Sequence, residues 1–198
     1  MIRDAVMAAL VEHIEGAPNW DAPPELFMVY VQGRQVALSA VPLPPGVWDA
    51  FGSPGEALES LADALGGHRG ALLVPPGKEG SLHAVAFVHE AFWVDVDTSD
   101  PHEARRVQAL ADQRRLREHP AAQDIRFAVA VDREGMTYSA RHVRGTIGTE
   151  TDILMPGDTG AQASGITVEA LDRLVEAFTG AKPPKRPSSW LVPPASMN

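Results

Sequence analysis

Two pairs of strand-like runs, each joined by a turn of three or four residues, constrain this chain more than any other feature. Leu26 to Val31 and Gln35 to Val41 are rich in aromatic and β-branched residues, with Gln32-Gly33-Arg34 between them. Ile125 to Val131 and Met136 to Val143 flank Asp132-Arg133-Glu134-Gly135 in the same way. A parallel return needs a crossover of about a dozen residues, so each pair reverses directly into an antiparallel hairpin. A third pair is read at Ala71 to Val74 and Leu82 to Val96, joined by the Pro75-to-Gly80 connector. The longer run is apolar on both parities as far as Val88, the pattern of a central strand covered on both faces.

Helices separate the pairs. Ile2, Val6, Leu10 and Ile14 recur every four residues, which predicts a helix over Arg3 to Glu15 ended by Gly16 and Pro18. Ser53-Pro54-Gly55-Glu56 opens the next with a capping hydroxyl, proline at the first helical position and glutamate three residues on. Leu58, Leu61, Ala62 and Leu65 then form one apolar face. Asp100-Pro101-His102-Glu103 repeats that grammar for a helix expected to reach Glu118, and Thr167 caps a last one carrying Leu171, Leu174, Val175 and Phe178.

The expected order is α-ββ-α-ββ-α-ββ-α: an α+β fold with a largely antiparallel or mixed six-stranded sheet. Residues 1–180 are expected to form one domain, followed by a proline-rich tail over 181–198. Arg144 to Gly165, with glycines at 145, 148, 157, 160 and 165 and Pro156, is expected to be a long loop.

Composition narrows the function classes. The chain is 44% hydrophobic and 22% charged, as in folded globular proteins. Absence of cysteine excludes disulfides and thiolate chemistry and fits a reducing, cytoplasmic setting. Asp4, Glu12 and Glu15 break the N-terminal apolar pattern, against a signal peptide, and no apolar stretch is long enough to span a bilayer. Residues 1–99 hold 4 Lys/Arg against 13 Asp/Glu, whereas residues 100–198 hold 13 of each. An acidic first half disfavours binding to phosphate backbones.

No motif names a chemistry. The seven histidines show no zinc-ligand spacing, Gly66-Gly67-His68-Arg69-Gly70 lacks the lysine and serine or threonine of a phosphate loop, and no serine sits in a nucleophile elbow. Cofactors and metals are therefore not expected. The weak catalytic candidates are Glu90, His89, His142 and Asp95, with Asp97 beside them. A buried Glu90 has a raised pKa unless Arg126, Arg141 or Arg144 reaches it, and clustered acids serve hydrolysis or a divalent ion. His89 is expected on one strand face with His83, Val85 and Phe87, and Glu90 on the other.

For partner binding the candidates are Arg106, Arg114 and Arg117, read as one quarter of a helical circumference, with Arg144 and Trp190. The preferred alternative is that these cations face solvent or pair with the acidic first half of the same chain, because Glu103, Asp112 and Glu118 dilute their field. The leading expectation is a non-enzymatic accessory or protein-interaction domain of bacterial or phage-like type, open to self-association. The rivals are a small hydrolase or metal-dependent enzyme centred on Glu90, and nucleic-acid or phosphate binding through the Arg106 helix.

Overall fold

The computed structural model describes residues 2–44, 46–66, 74, 81–96, 100–156, 166–182 and 184. Helix α1 (Ile2–Gly16) leads into the hairpin β1 (Glu25–Gln32) and β2 (Gln35–Ala40). Then come α2 (Pro54–Leu65), β3 (Leu82–Trp93), α3 (Pro101–Asp112), a 3-10 turn at Leu116–Glu118, β4 (Gln123–Asp132), β5 (Thr137–Val143), β6 (Thr149–Leu154) and α4 (Ile166–Thr179). The strands form one six-stranded sheet in the order β2-β1-β3-β4-β5-β6, and every neighbouring pair is antiparallel.

The expected class, strand number and four helices are found, but the strands are distributed differently. The sixth is β6, inside the segment expected to be a loop. Its sequence, Thr-Glu-Thr-Asp-Ile-Leu, is polar because an edge strand needs no apolar run. Of the strand expected at 71–74, residues 71–73 lie outside the described residues and Val74 sits in a bend. Strand β3 stops at Trp93 instead of Val96.

The two hairpin turns expected from the sequence each use a glycine in the left-handed region, Gly33 at φ 64° and Gly135 at φ 80°, where a side chain would be strained. At α2 the Ser53 hydroxyl accepts from the Glu56 N–H at 3.2 Å, and the Glu56 carboxylate reaches back to the Gly52 N–H at 3.1 Å. At α3 one Asp100 oxygen accepts from the N–H groups of His102 and Glu103. These bonds satisfy donors that a helix start otherwise leaves without acceptors.

The sheet is covered on both sides. On one face α4 packs on β3 and β4, and α2 packs on α4. Leu58, Leu171, Leu174 and Val175 are fully buried there with Val85, Phe87, Val129 and Val131. On the other face Val6, Leu10 and Ile14 of α1 rest on Ala84, Ala86, Ala128, Ala130 and Ala140. Small side chains on three adjacent strands leave room for the helix to approach the sheet closely.

Ile2, in register with that row, is 45% exposed. Helix α3 ends at Asp112, short of Glu118, and none of its residues is fully buried. Arg114 follows at φ 58°, so the helical wheel linking Arg106, Arg114 and Arg117 is broken.

Candidate functional site

Strand register brings the sequence candidates into two rows on opposite faces. On the α1 face Glu90 of β3 lies opposite Arg126 of β4, which lies opposite His142 of β5, which lies opposite Thr149 of β6. On the α4 face the corresponding row is His89, Phe127, Arg141 and Glu150. The alternation of side chains along a strand therefore separates Glu90 and His142 from His89 and Asp95 by the thickness of the sheet.

Arg126 is the centre of the first row and is 3% exposed. Its Nε–H and one Nη2–H donate to Glu90 Oε1 at 3.3 and 2.8 Å. Nη1 donates to the carbonyls of Ile14 at 3.0 Å and Ala17 at 3.2 Å, and Nη2 also donates to the Asn19 carbonyl. A guanidinium has five N–H donors, and these bonds use all five. The other Glu90 oxygen accepts from the Asp21 N–H at 2.7 Å. That bond holds Asp21 at φ 66°, a conformation uncommon outside glycine.

Trp20 covers the cluster. Its ring centroid lies 4.7 Å from the Arg126 guanidinium and 5.2 Å from that of Arg144, with the His142 ring stacked at 6.2 Å. Arg144 also pairs with Asp124 and Asp21. The whole arrangement fastens the 17–24 connection onto the sheet. The space beside Glu90 and Arg126 amounts to about 20 Å³, lined also by His13, Ala17 and Glu25. That is room for little more than one water molecule, so among the described residues this space is no substrate cleft.

On the opposite face the His89 ring stacks on Phe87 at 5.1 Å and meets Phe127 edge-on at 6.0 Å. Its Nδ1 lies 3.2 Å from the Glu90 carbonyl, which fixes that nitrogen as the protonated one in the neutral ring. Burial holds its pKa below the ordinary histidine value, against the opposing effect of that carbonyl.

Asp95 is exposed and accepts from the Trp93 indole N–H at 2.7 Å and from Arg141 at 3.3 Å. The indole bond, more than the arginine, holds its carboxyl below the usual range. Arg141 stacks over Trp93 at 4.6 Å and also pairs with Glu150. Asp97 and Trp190 lie outside the described residues.

The arginine candidates do not converge. Arg106 and Arg117 are exposed, while Arg114 pairs with Glu56 at the start of α2. Five arginines of the second half instead reach acids of the first: Arg114 to Glu56, Arg126 to Glu90, Arg141 to Asp95, Arg144 to Asp21, and Arg173 to Glu59 and Asp63.

Sequence reasoning missed two polar centres. Asp132, 1% exposed, accepts from the N–H groups of Glu134 and Met136 at 2.8 and 2.9 Å and from the Tyr138 hydroxyl at 2.8 Å. Burial, reinforced by the Asp132 charge, pushes the Tyr138 hydroxyl well above the ordinary tyrosine value. His83 Nε2 lies 3.7 Å from the same carboxylate. It gets there because the β1–β3 register slips: Val29 faces Ala84 but Tyr30 faces Leu82, leaving His83 as the extra residue. Such a bulge re-aims a side chain, so His83 departs from the Val85 and Phe87 face on which alternation places it. The Asp-x-x-Gly turn was visible in the sequence, whereas the slip has no local signature.

The second centre is His119, whose Nδ1 accepts from the Ala121 N–H at 3.2 Å, so its Nε2–H donates to Glu103 at 2.8 Å. This pair ties α3 to the 3-10 turn. Among the described residues no three His, Asp or Glu side chains are placed to share a metal ion, and no helix is long and apolar enough to cross a membrane. Compared with known protein families, curated proteins and solved structures, the chain finds no match.

Proposed function

We propose that this chain is a non-enzymatic accessory domain that acts by binding protein. The observation that supports the reading best is the state of Arg126 and Glu90, the pair nearest to a chemical centre. All five guanidinium donors are engaged, both carboxylate oxygens accept hydrogen bonds, and the adjoining space holds no substrate-sized group. General acid–base work needs a group that faces its substrate, and electrostatic stabilisation needs donors aimed at an open position. Here the strongest donors point at backbone carbonyls of the same chain.

The test is a turnover assay on ester, phosphoester and peptide substrates, with and without added zinc, magnesium or manganese, comparing wild type with Glu90→Gln. The reading expects no turnover that depends on Glu90. Metal-stimulated hydrolysis lost in a folded Glu90→Gln variant would favour the hydrolase instead.

A further inference from the structure

We propose that the protein self-associates by pairing the outer edge of β2 with the β2 edge of a second copy, a partner assignment that rests on the binding role above. Strand β2 is one end of the sheet, and its hydrogen-bonded neighbour is β1 alone. Among the described residues, no backbone bond from Gln35–Ala40 runs to any other element. An open edge offers a row of N–H and C=O groups that only another extended strand satisfies in register.

The two edges of this sheet are built differently. Strand β6 carries Glu150 and Asp152, and charges of this kind discourage edge pairing. Strand β2 reads Gln-Val-Ala-Leu-Ser-Ala, with no charge and no proline. That contrast selects the occupant. In a two-fold pair each edge meets itself, so any charge near the axis faces its own copy. Two β6 edges would oppose acid to acid, while two β2 edges oppose only neutral side chains.

A two-fold axis perpendicular to the sheet gives the antiparallel pairing required and joins two six-stranded sheets into one. With the axis at Ala37 the half-buried Val36 of one copy lies opposite Leu38 of the other, and with it at Leu38 the two Leu38 side chains meet, in both cases on the α1 face. A groove of about 720 Å³ opens at the same edge, lined by Ile2, Ala5, Val31 and Val36 with Asp4 and Arg34 beside them, and adds mainly apolar surface there. Pairing of a single six-residue strand is a small contact, so a micromolar, concentration-dependent dimer is expected.

Ala37 and Ser39 are exposed and point to the other face, so lysine there costs the monomer little. In either register position 37 faces 37 or 39 of the second copy. Sedimentation of the full chain across a concentration series should show a monomer–dimer equilibrium for wild type. The double variant Ala37→Lys/Ser39→Lys should stay monomeric with an unchanged melting temperature, as should Ala37→Glu/Ser39→Glu. Mixing the two variants should restore a dimer. A wild type that stays monomeric to hundreds of micromolar, or a dimer indifferent to both double variants, overturns the self-pairing. Neither result touches the turnover assay, on which the wider binding role stands or falls.

Discussion

Arg126 occupies an inward position in a strand of small apolar residues, where an unpaired charge is prohibitively costly. It is tolerated because one carboxylate and three carbonyls receive its protons. Replacing it by methionine strands the Glu90 carboxylate and three carbonyl groups, and is expected to cost about 3–5 kcal/mol in urea unfolding. The same residue marks a limit of sequence reading: Arg126 was visible as one member of an alternating strand, but its partners lie on three other segments. The opposite orientations of His89 and Glu90 followed from period-two alternation alone, whereas the turning of His83 needed the register slip.

His89 makes a second prediction. Its folded pKa lies below the unfolded value, so between the two the unfolded chain binds more protons. The neutral ring's contribution is complete above the unfolded value of about 6.5 and is lost as pH falls through the folded one. Stability measured by denaturant titration should fall below that pH in wild type and fall less in His89→Phe. An equal fall in both would locate the acid sensitivity elsewhere.

Among the elements, α2 was legible because cap, leucine spacing and terminating glycine all agreed, and α4 because its leucine spacing and Gly180 did, although Thr167, expected as its cap, lies inside the helix. Leu174 is fully buried in α4, and Leu174→Ala is expected to cost about 2–5 kcal/mol by leaving a cavity. Ser53→Ala removes a cap from a helix that keeps its proline and glutamate, and should cost about 1 kcal/mol. Both are read from the shift in urea midpoint at constant slope.

The elements that differed from expectation are those whose sequences carry least burial. Strand β6 has no fully buried residue, so its pairing with β5 left little apolar pattern behind. Helix α3 shows a clear start at Asp100 but lacks a buried face to carry it past Asp112, and charge alone gave no stopping point.

Across the whole molecule, part of the charge asymmetry between the two halves is taken up internally. Arginines from β4, β5, α4 and the segment after α3 reach acids of the N-terminal half, so the excess of acid there serves to join distant parts of the chain. The sequence favours solvation or such pairing over a partner-binding patch but does not name the pairs, because counts of charge carry no distances. Most of these pairs are exposed and individually weak, but Glu90–Arg126 is shielded and satisfied on every side.

The most direct measurement is therefore a double-mutant cycle on Glu90→Gln and Arg126→Met, followed by urea unfolding. If the pair holds the fold together, both single variants are destabilised and the cycle shows a coupling of about 1–3 kcal/mol. A Glu90→Gln variant as stable as wild type or more so is the behaviour of a residue kept for chemistry at the expense of stability, and would contradict the account.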